Sequence, residues 1–427
     1  VHVDSEAAGF SRPVSTLTKP YERLNASSND YDFPERLAQT ESAAAPTAGT
    51  ESSVSAADFD ADLIRDSFTQ LIASGGEAAE FFYRRFFAVS PDVESLFSID
   101  LTVQRERFLS TLARITQSLD TGPGLAEMLA RIGRENRKFG VTDRHYAAFA
   151  IALEQTVRHF SAATWSGREA AAWQRALGYI AATMRAAAAA DAAVAPPWWI
   201  AEIATHELRA PGVAVLKVAP TQPLLYRAGQ YVWVQVTRWP RVWRRYSAAT
   251  APRPGGLIEL HVRAVPGGLV SNSLVHHSTA GDTLILGPAD GSMALADSDR
   301  DLLCVAGGTG LAPIKAIIEQ AIADARTGPA RKITLFYGAR QHFDLYDGYD
   351  LQLLAAAYPA LRVIPVLSDE PGYSGFTGLL PEVVHAHGGA MFRNCEAYIC
   401  GPPSMVSRTA ALLAGSIPPG QIHHDPI

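Results

Sequence analysis

At 427 residues the chain exceeds what one compact core accommodates, so about two or three domains are expected. Its formal charge of −6, from 37 Lys and Arg against 43 Asp and Glu, and its lack of basic runs interleaved with aromatics exclude nucleic acid as a partner. Three cysteines, Cys304, Cys395 and Cys400, sit at no metal-ligand spacing, which excludes a disulfide scaffold and an iron–sulfur centre, leaves no certain metal ligand, and points to a reducing, cytoplasmic setting.

The apolar runs are short or broken by charges, so no membrane span is predicted, and no basic stretch followed by an apolar core marks a secretory signal. Residues 1–56 are rich in Ser, Ala, Thr and acidic side chains and read as a disordered or weakly ordered extension. From 57 to 194 apolar residues recur at helical spacing: Phe68, Leu71 and Ile72; Phe82, Phe86 and Phe87; Phe108, Leu109, Leu112 and Ile115; Tyr146, Phe149 and Leu153. An alanine-rich helix over 173–193 ends at Ala195-Pro196-Pro197, and the expectation is an all-α domain.

Between 195 and 298, strands at 213–218, 231–237, 257–264 and 283–286 are separated by Gly and Pro turns, as in a small antiparallel β-barrel. From 299 to 427, strands at 302–306, 332–337, 361–366 and 396–400 alternate with helices at 311–325, 348–357, 379–386 and 404–414. That alternation predicts a doubly wound α/β domain with its ligand at the carboxyl ends of the strands.

Three ordered motifs carry chemistry. Leu302-Leu303-Cys304-Val305-Ala306 runs into Gly307-Gly308-Thr309-Gly310, where missing Cβ atoms let backbone N–H groups approach a pyrophosphate at a helix start. Upstream, Arg244-Arg245-Tyr246-Ser247 offers a cation for phosphate, a flat ring for an isoalloxazine and a hydroxyl for its reactive nitrogen. Downstream, Cys400-Gly401-Pro402-Pro403 follows an apolar strand and makes a tight turn where a nicotinamide could lie. A glycine turn alone is common; the set is not.

Together they resemble the ferredoxin-NADP reductase superfamily over about 198–427. The resemblance implies FAD and a nicotinamide dinucleotide. It places Tyr231 of Gly229-Gln230-Tyr231 beside the flavin, Gly268, Val270 and Ser271 of Gly267–Asn272 at its pyrophosphate, and Tyr337-Gly338-Ala339-Arg340 at the adenosine edge. Ser247 and Asp425 fall at the family's catalytic positions, and Ile427 where an aromatic would cover the ring. No Arg or Lys cluster awaits a 2′-phosphate, which favours NADH, while Arg340 leaves NADPH open.

The helical domain ahead of such a reductase resembles that of flavohemoglobins. In Phe82-Tyr83-Arg84-Arg85-Phe86-Phe87 the resemblance makes Tyr83 the residue facing a haem-bound ligand; in Ser90–Phe97 it sets Phe97 on the porphyrin, and in Gln104-Arg105-Glu106 it makes Gln104 the distal amide. Phe108 would line the same pocket. A plain core role for Tyr83 and Phe97 is the alternative.

The proximal stretch, Ile132–Val141, has Asn136 where the family has histidine, and an amide is a poor axial ligand for haem b. Tyr146 matches the tyrosine that orients that histidine, whereas Ala188 stands where a glutamate would. Two functions follow. In one, electrons pass from NADH through FAD to a globin-bound acceptor, with nitric-oxide dioxygenation from oxygen if haem is present. In the other, a haem-free reductase serves another protein, a small molecule or oxygen, and its globin-like part is structural, a docking surface or an apolar-ligand sensor.

Overall fold

The computed structural model describes residues 60–97, 101–120, 123–388 and 392–425; the N-terminal extension expected over 1–56 and Ile427 lie outside the described residues. Its helical part is α1 (Ala61–Ala73), α2 (Gly76–Val89), α3 (Thr102–Gln117), α4 (Pro123–Asn136), α5 (Asp143–Phe160) and α6 (Gly167–Ala192). The helical spacing read from the sequence becomes one core: Ile64, Phe68 and Leu71 of α1 are buried with Phe82, Tyr83 and Phe86 of α2, Leu153 of α5 and Trp173 of α6. Ser166 starts α6 with a reciprocal cap, its hydroxyl accepting from Arg168 N while its own N–H donates to Glu169 at 2.9 Å. Helices α4 and α6 cross closely because Gly133 has no side chain, and a Cβ there would lie 2.2 Å from the Met184 carbonyl oxygen.

The barrel strands are β1 (Trp199–Ala210), β2 (Val213–Pro220), β3 (Tyr231–Val236), β4 (Arg244–Ser247), β5 (Ile258–Arg263) and β6 (Thr283–Asp290), with helix α7 (Leu269–His276) between the last two. They pair antiparallel in the order β4-β3-β6-β1-β2-β5, and a bridge from Ala248 to Leu260 closes the ring. Strand β1 is absent from the sequence expectation. It carries a register shift between Ile203 and Thr205, and its second half exposes the adjacent Glu207 and Leu208, so alternation fades where the strand continues. Strand β6 runs four residues past the expected Leu286, because pairing of Asp290 with Tyr231 and of Ala289 with Val232 overrides the turn propensity of Gly287-Pro288.

The last layer is a parallel sheet in the order β10-β9-β8-β7-β11-β12, where β7 is Asp301–Gly307, β8 Ile333–Ala339, β9 Leu361–Leu367, β10 Phe376–Thr377, β11 Cys395–Cys400 and β12 Ile422–His423. Helices α8 (Leu311–Asp324) and α9 (Gly348–Ala357) pack on one face, and α10 (Leu380–Gly388) and α11 (Pro403–Leu413) on the other. Among the described residues no helix is long and apolar enough to cross a membrane.

Candidate active site

Strand pairing assembles the flavin side of the site. In the β3–β4 ladder Tyr231 faces Ser247 and Val232 faces Tyr246, so the predicted turn and the Arg-x-Tyr-Ser motif are neighbours. Arg244 and Tyr246, two apart, share a face of β4. Burial raises the Tyr246 phenol far above its usual range against the opposing pull of the Arg244 charge. The Tyr231 hydroxyl donates to Asp290 at 3.0 Å, and burial pushes that phenol up to about 12.

Gly291, at φ 110°, turns the chain directly behind the Tyr231 ring, where a Cβ would lie 3.1 Å from the ring and 3.3 Å from the Asp425 carboxylate. Asp425 accepts from the Ser292 N–H at 3.0 Å and the Met293 N–H at 3.4 Å. A residue 133 positions away in the chain thus closes the flavin side.

The nucleotide side is built at the carboxyl ends of parallel strands. Ala306 on β7 lies level with Cys400 on β11 and Tyr337 on β8, and Gly307 lies level with Gly338. Gly308 takes the left-handed φ of 55°, and Gly310 abuts the neighbouring turn so closely that a Cβ would sit 2.4 Å from the Cys400 carbonyl oxygen. Gly307 likewise lies against Pro402 and Gly401. Strands β11 and β12 pair at Tyr398 and His423, two residues short of Cys400 and Asp425, and burial, then the Asp425 charge, push the Cys400 thiol up to about 12. The structure therefore brings Tyr231, Ser247, Asp425, Cys400 and the glycine loop to one region.

Gly268 caps α7 in a turn where a Cβ would meet the Ser271 hydroxyl at 2.3 Å; Val270 is fully buried and Ser271 nearly so. Arg263 is a residue the sequence reading missed. It ends β5, and its guanidinium would lie 3.9 Å from a Cβ on Gly308, bringing a cation from the barrel to the nucleotide loop. The only sequence signal is a charged residue closing an alternating strand. The donor set fits both cofactors: glycine turns that exclude side chains, cations at Arg244 and Arg263, and the Tyr246 ring for stacking.

The helical domain groups its expected residues as well. The Tyr83 hydroxyl donates to the Gln104 carbonyl oxygen at 3.4 Å, and the Tyr83 ring stands edge-on to Phe97 at 5.5 Å and to Phe108 at 5.7 Å. Burial raises the Tyr146 phenol, and the Asn136 side chain lies near enough to oppose that shift.

Among the described residues of the helical domain the two imidazoles are both engaged elsewhere. His145 is buried with both ring nitrogens engaged, Nε2 to Asp92 at 2.7 Å and Nδ1 accepting from Thr142 N at 3.1 Å, and His159 stacks on Phe81 at 4.4 Å. These donors do not fit a haem held through imidazole. Among the described residues no cluster of His, Cys, Asp and Glu could hold a metal ion.

Helical and barrel parts meet around Gly287 of β6. A Cβ there would lie 2.9 Å from the Trp233 Cβ, 3.2 Å from the Lys138 Cδ and 3.5 Å from the Trp243 ring. The Lys138 ammonium sits 4.0 Å over the Trp233 ring and 4.7 Å over Phe139. Beside it, the Arg241 guanidinium donates to the Phe97 carbonyl oxygen at 3.4 Å.

Fold and site together define an FAD- and NAD-binding oxidoreductase. Family models agree: an oxidoreductase FAD-binding domain matches residues 206–293, an oxidoreductase NAD-binding domain 304–411 and a globin 80–184. The reductase subunit of an aromatic O-demethylase from Amycolatopsis is 33% identical over 52% of this chain and 70% of its own length. The ferredoxin–NAD(P)+ reductase component of naphthalene 1,2-dioxygenase/salicylate 5-hydroxylase systems from Ralstonia is 36% identical over 52% of this chain and 65% of its own.

Among solved structures, a flavohemoglobin from Malassezia yamatoensis superposes with a TM-score of 0.70 at 16% identity, over 86% of this chain and 97% of its own. The chain belongs to the ferredoxin reductase-type flavoproteins, with a globin domain fused ahead of the FAD and NAD domains in the flavohemoglobin arrangement. It spans less than two thirds of the Ralstonia relative's length.

Proposed function

We propose that the chain oxidises NADH at an FAD held between β4 and the glycine loop, and passes the electrons toward an acceptor on the globin side. The observation that carries this reading is the convergence of Tyr231, Ser247 and Asp425 with Cys400 and Gly310 on one region. Bound FAD would supply a two-electron acceptor for the hydride of a dihydronicotinamide. The protein's part is placement. Arg244 and the N-terminus of α7 bind flavin phosphate, Tyr246 stacks, Ser247 hydrogen-bonds the hydride-accepting edge, and Gly307 to Gly310 with Cys400, Gly401 and Pro402 hold the dinucleotide against it.

The working units are a globin domain over 57–194, an FAD barrel over 195–298 and an NAD domain over 299–427. Arg340, exposed at the end of β8, is one cation where a 2′-phosphate clamp would need several, which supports NADH over NADPH. Three free thiols support a reducing, cytoplasmic setting.

An amide at Asn136, with both ring nitrogens of His145 engaged elsewhere, favours a second reading, in which the acceptor is not an imidazole-ligated haem but oxygen, a small molecule or another protein meeting the globin face. Anaerobic bleaching of the flavin by NADH and by NADPH tests the reductase reading. A pyridine haemochrome assay with NADH-driven nitric-oxide consumption separates the acceptors: stoichiometric haem and nitric-oxide turnover support the dioxygenase, and flavin alone supports the second reading.

A further inference from the structure

Lys315 lies five residues beyond Gly310 on α8, the helix whose first turn carries the nucleotide loop, yet its side chain points away from solvent and is only 3% exposed. Its ammonium donates to Glu259 of β5 at 2.9 Å, to Asp347 at the head of α9 at 2.8 Å and to Asp350 at 3.4 Å. Arg209 of β1 joins from the barrel, reaching Asp347 at 3.3 Å and Asp350 at 3.5 Å. His261 of β5 completes the group, with Nε2 donating to Glu259 at 2.9 Å and Nδ1 accepting from the Tyr346 hydroxyl at 2.8 Å. Two barrel strands and two helices of the nucleotide domain are thereby joined through one charged cluster centred on a buried ammonium.

Stability alone does not account for such a group, because buried ion pairs replaced by well-packed apolar side chains commonly leave stability equal or higher. What an ammonium bound from three directions supplies is orientation. Glu259 and Asp347 approach it from different domains, so sliding α8 along the barrel breaks at least one charge-assisted bond. Burial would push the Glu259 carboxyl up, but the His261 hydrogen bond and the Lys315 charge hold it down at about 2. The same strand, two residues on from His261, presents Arg263 to Gly308. Strand β5 therefore joins the clamp to the loop that must be aligned.

We propose that Lys315, Glu259 and Asp347 form a positioning clamp that sets the distance between the dinucleotide loop and the flavin barrel, and with it the rate of hydride transfer. The proposal rests on the reductase reading above. The test uses the full chain loaded with FAD, as wild type, Glu259→Gln and Asp350→Asn, reduced anaerobically by NADH and by 4-deuterated NADH in a stopped-flow instrument.

Glu259→Gln is expected to lower the limiting rate of flavin bleaching about tenfold, while the NADH dissociation constant and FAD content stay near wild type. Its deuterium isotope effect should rise as transfer becomes the slower step. Asp350→Asn, at the half-buried edge, leaves Lys315 paired with Glu259 and Asp347; it is expected to lose about two- to threefold in the same parameter, and it decides the matter if Glu259→Gln does not fold. Wild-type limiting rates in the FAD-replete variants, or a loss confined to NADH affinity, would overturn the clamp. A wild-type chain that holds FAD but is not bleached by NADH would instead overturn the reductase reading and the clamp with it.

Discussion

The Asn136 and Tyr146 side chains interact, at the two positions that the resemblance to flavohemoglobins assigns to an iron ligand and the tyrosine that orients it. Tyr146 is present there as a phenol, beside an amide in place of imidazole. Replacing the amide by imidazole restores a donor that suits haem iron and keeps Tyr146 as its orienting partner. Asn136→His is therefore expected to raise haem content per chain, read by a Soret band and the pyridine haemochrome assay. Unchanged haem would mean that Phe97, Phe108 and Tyr83 close the pocket by themselves.

In the proposed function Tyr246 is the ring that stacks on the flavin, and burial already desolvates its phenol. Tyr246→Ala is expected to weaken FAD binding by about 1–2 kcal/mol, or roughly tenfold, from the lost stacking area. Flavin absorbance remaining after desalting measures it. The melting temperature of the helical domain should not move.

Gly310→Ala places a methyl group 2.4 Å from the Cys400 carbonyl oxygen, a contact that backbone cannot absorb without moving β7 or β11. Overpacking of this kind costs about 1–3 kcal/mol and should shift the nucleotide loop more than the flavin strand. The expected result is an NADH dissociation constant raised about tenfold with FAD content retained, checked by titrating the flavin charge-transfer band.

Glu135, next to Asn136, is pushed up to about 7 by burial and then by the neighbouring Asp290 carboxylate, against the pull of Lys138 and Arg131. A raised folded value means that the folded state binds the extra proton, so stability is full below the ordinary value of 4.5 and declines as pH rises through about 7. Glu135→Gln removes that titration. It should stabilise the protein by up to about 3 kcal/mol at pH 8 and give no gain below the ordinary carboxyl range, read from urea midpoints across pH.

The sequence made the three-layer order legible because each layer has its own period: a helical stripe through Phe82 and Phe86, an alternation through Val232 and Val234, and uninterrupted apolar runs such as Leu302 to Ala306. Motif chemistry located Tyr246, Ser247 and the glycine loop, since only glycine leaves the space that Gly310 and Gly307 leave. What it could not show were contacts made by residues distant in sequence. Strand β1 was missed because its outer half is polar and bulged, and the Lys315 clamp because Lys315, Glu259 and Arg209 become adjacent only after two domains pack. Lys138 reads as a surface lysine until Gly287, Trp233 and Trp243 enclose its stem.

Strand β7 has β8 on one side and β11 on the other, and further strands lie beyond each. Its amide protons are shielded from water by two neighbours and by helices on both faces, so they should exchange with deuterium among the slowest in the sheet, and only when the whole sheet opens. The glycine loop thus hangs from the part of the domain that lets go last, and heating should release the short edge pieces β10 and β12 long before the cradle for the dinucleotide loses its shape.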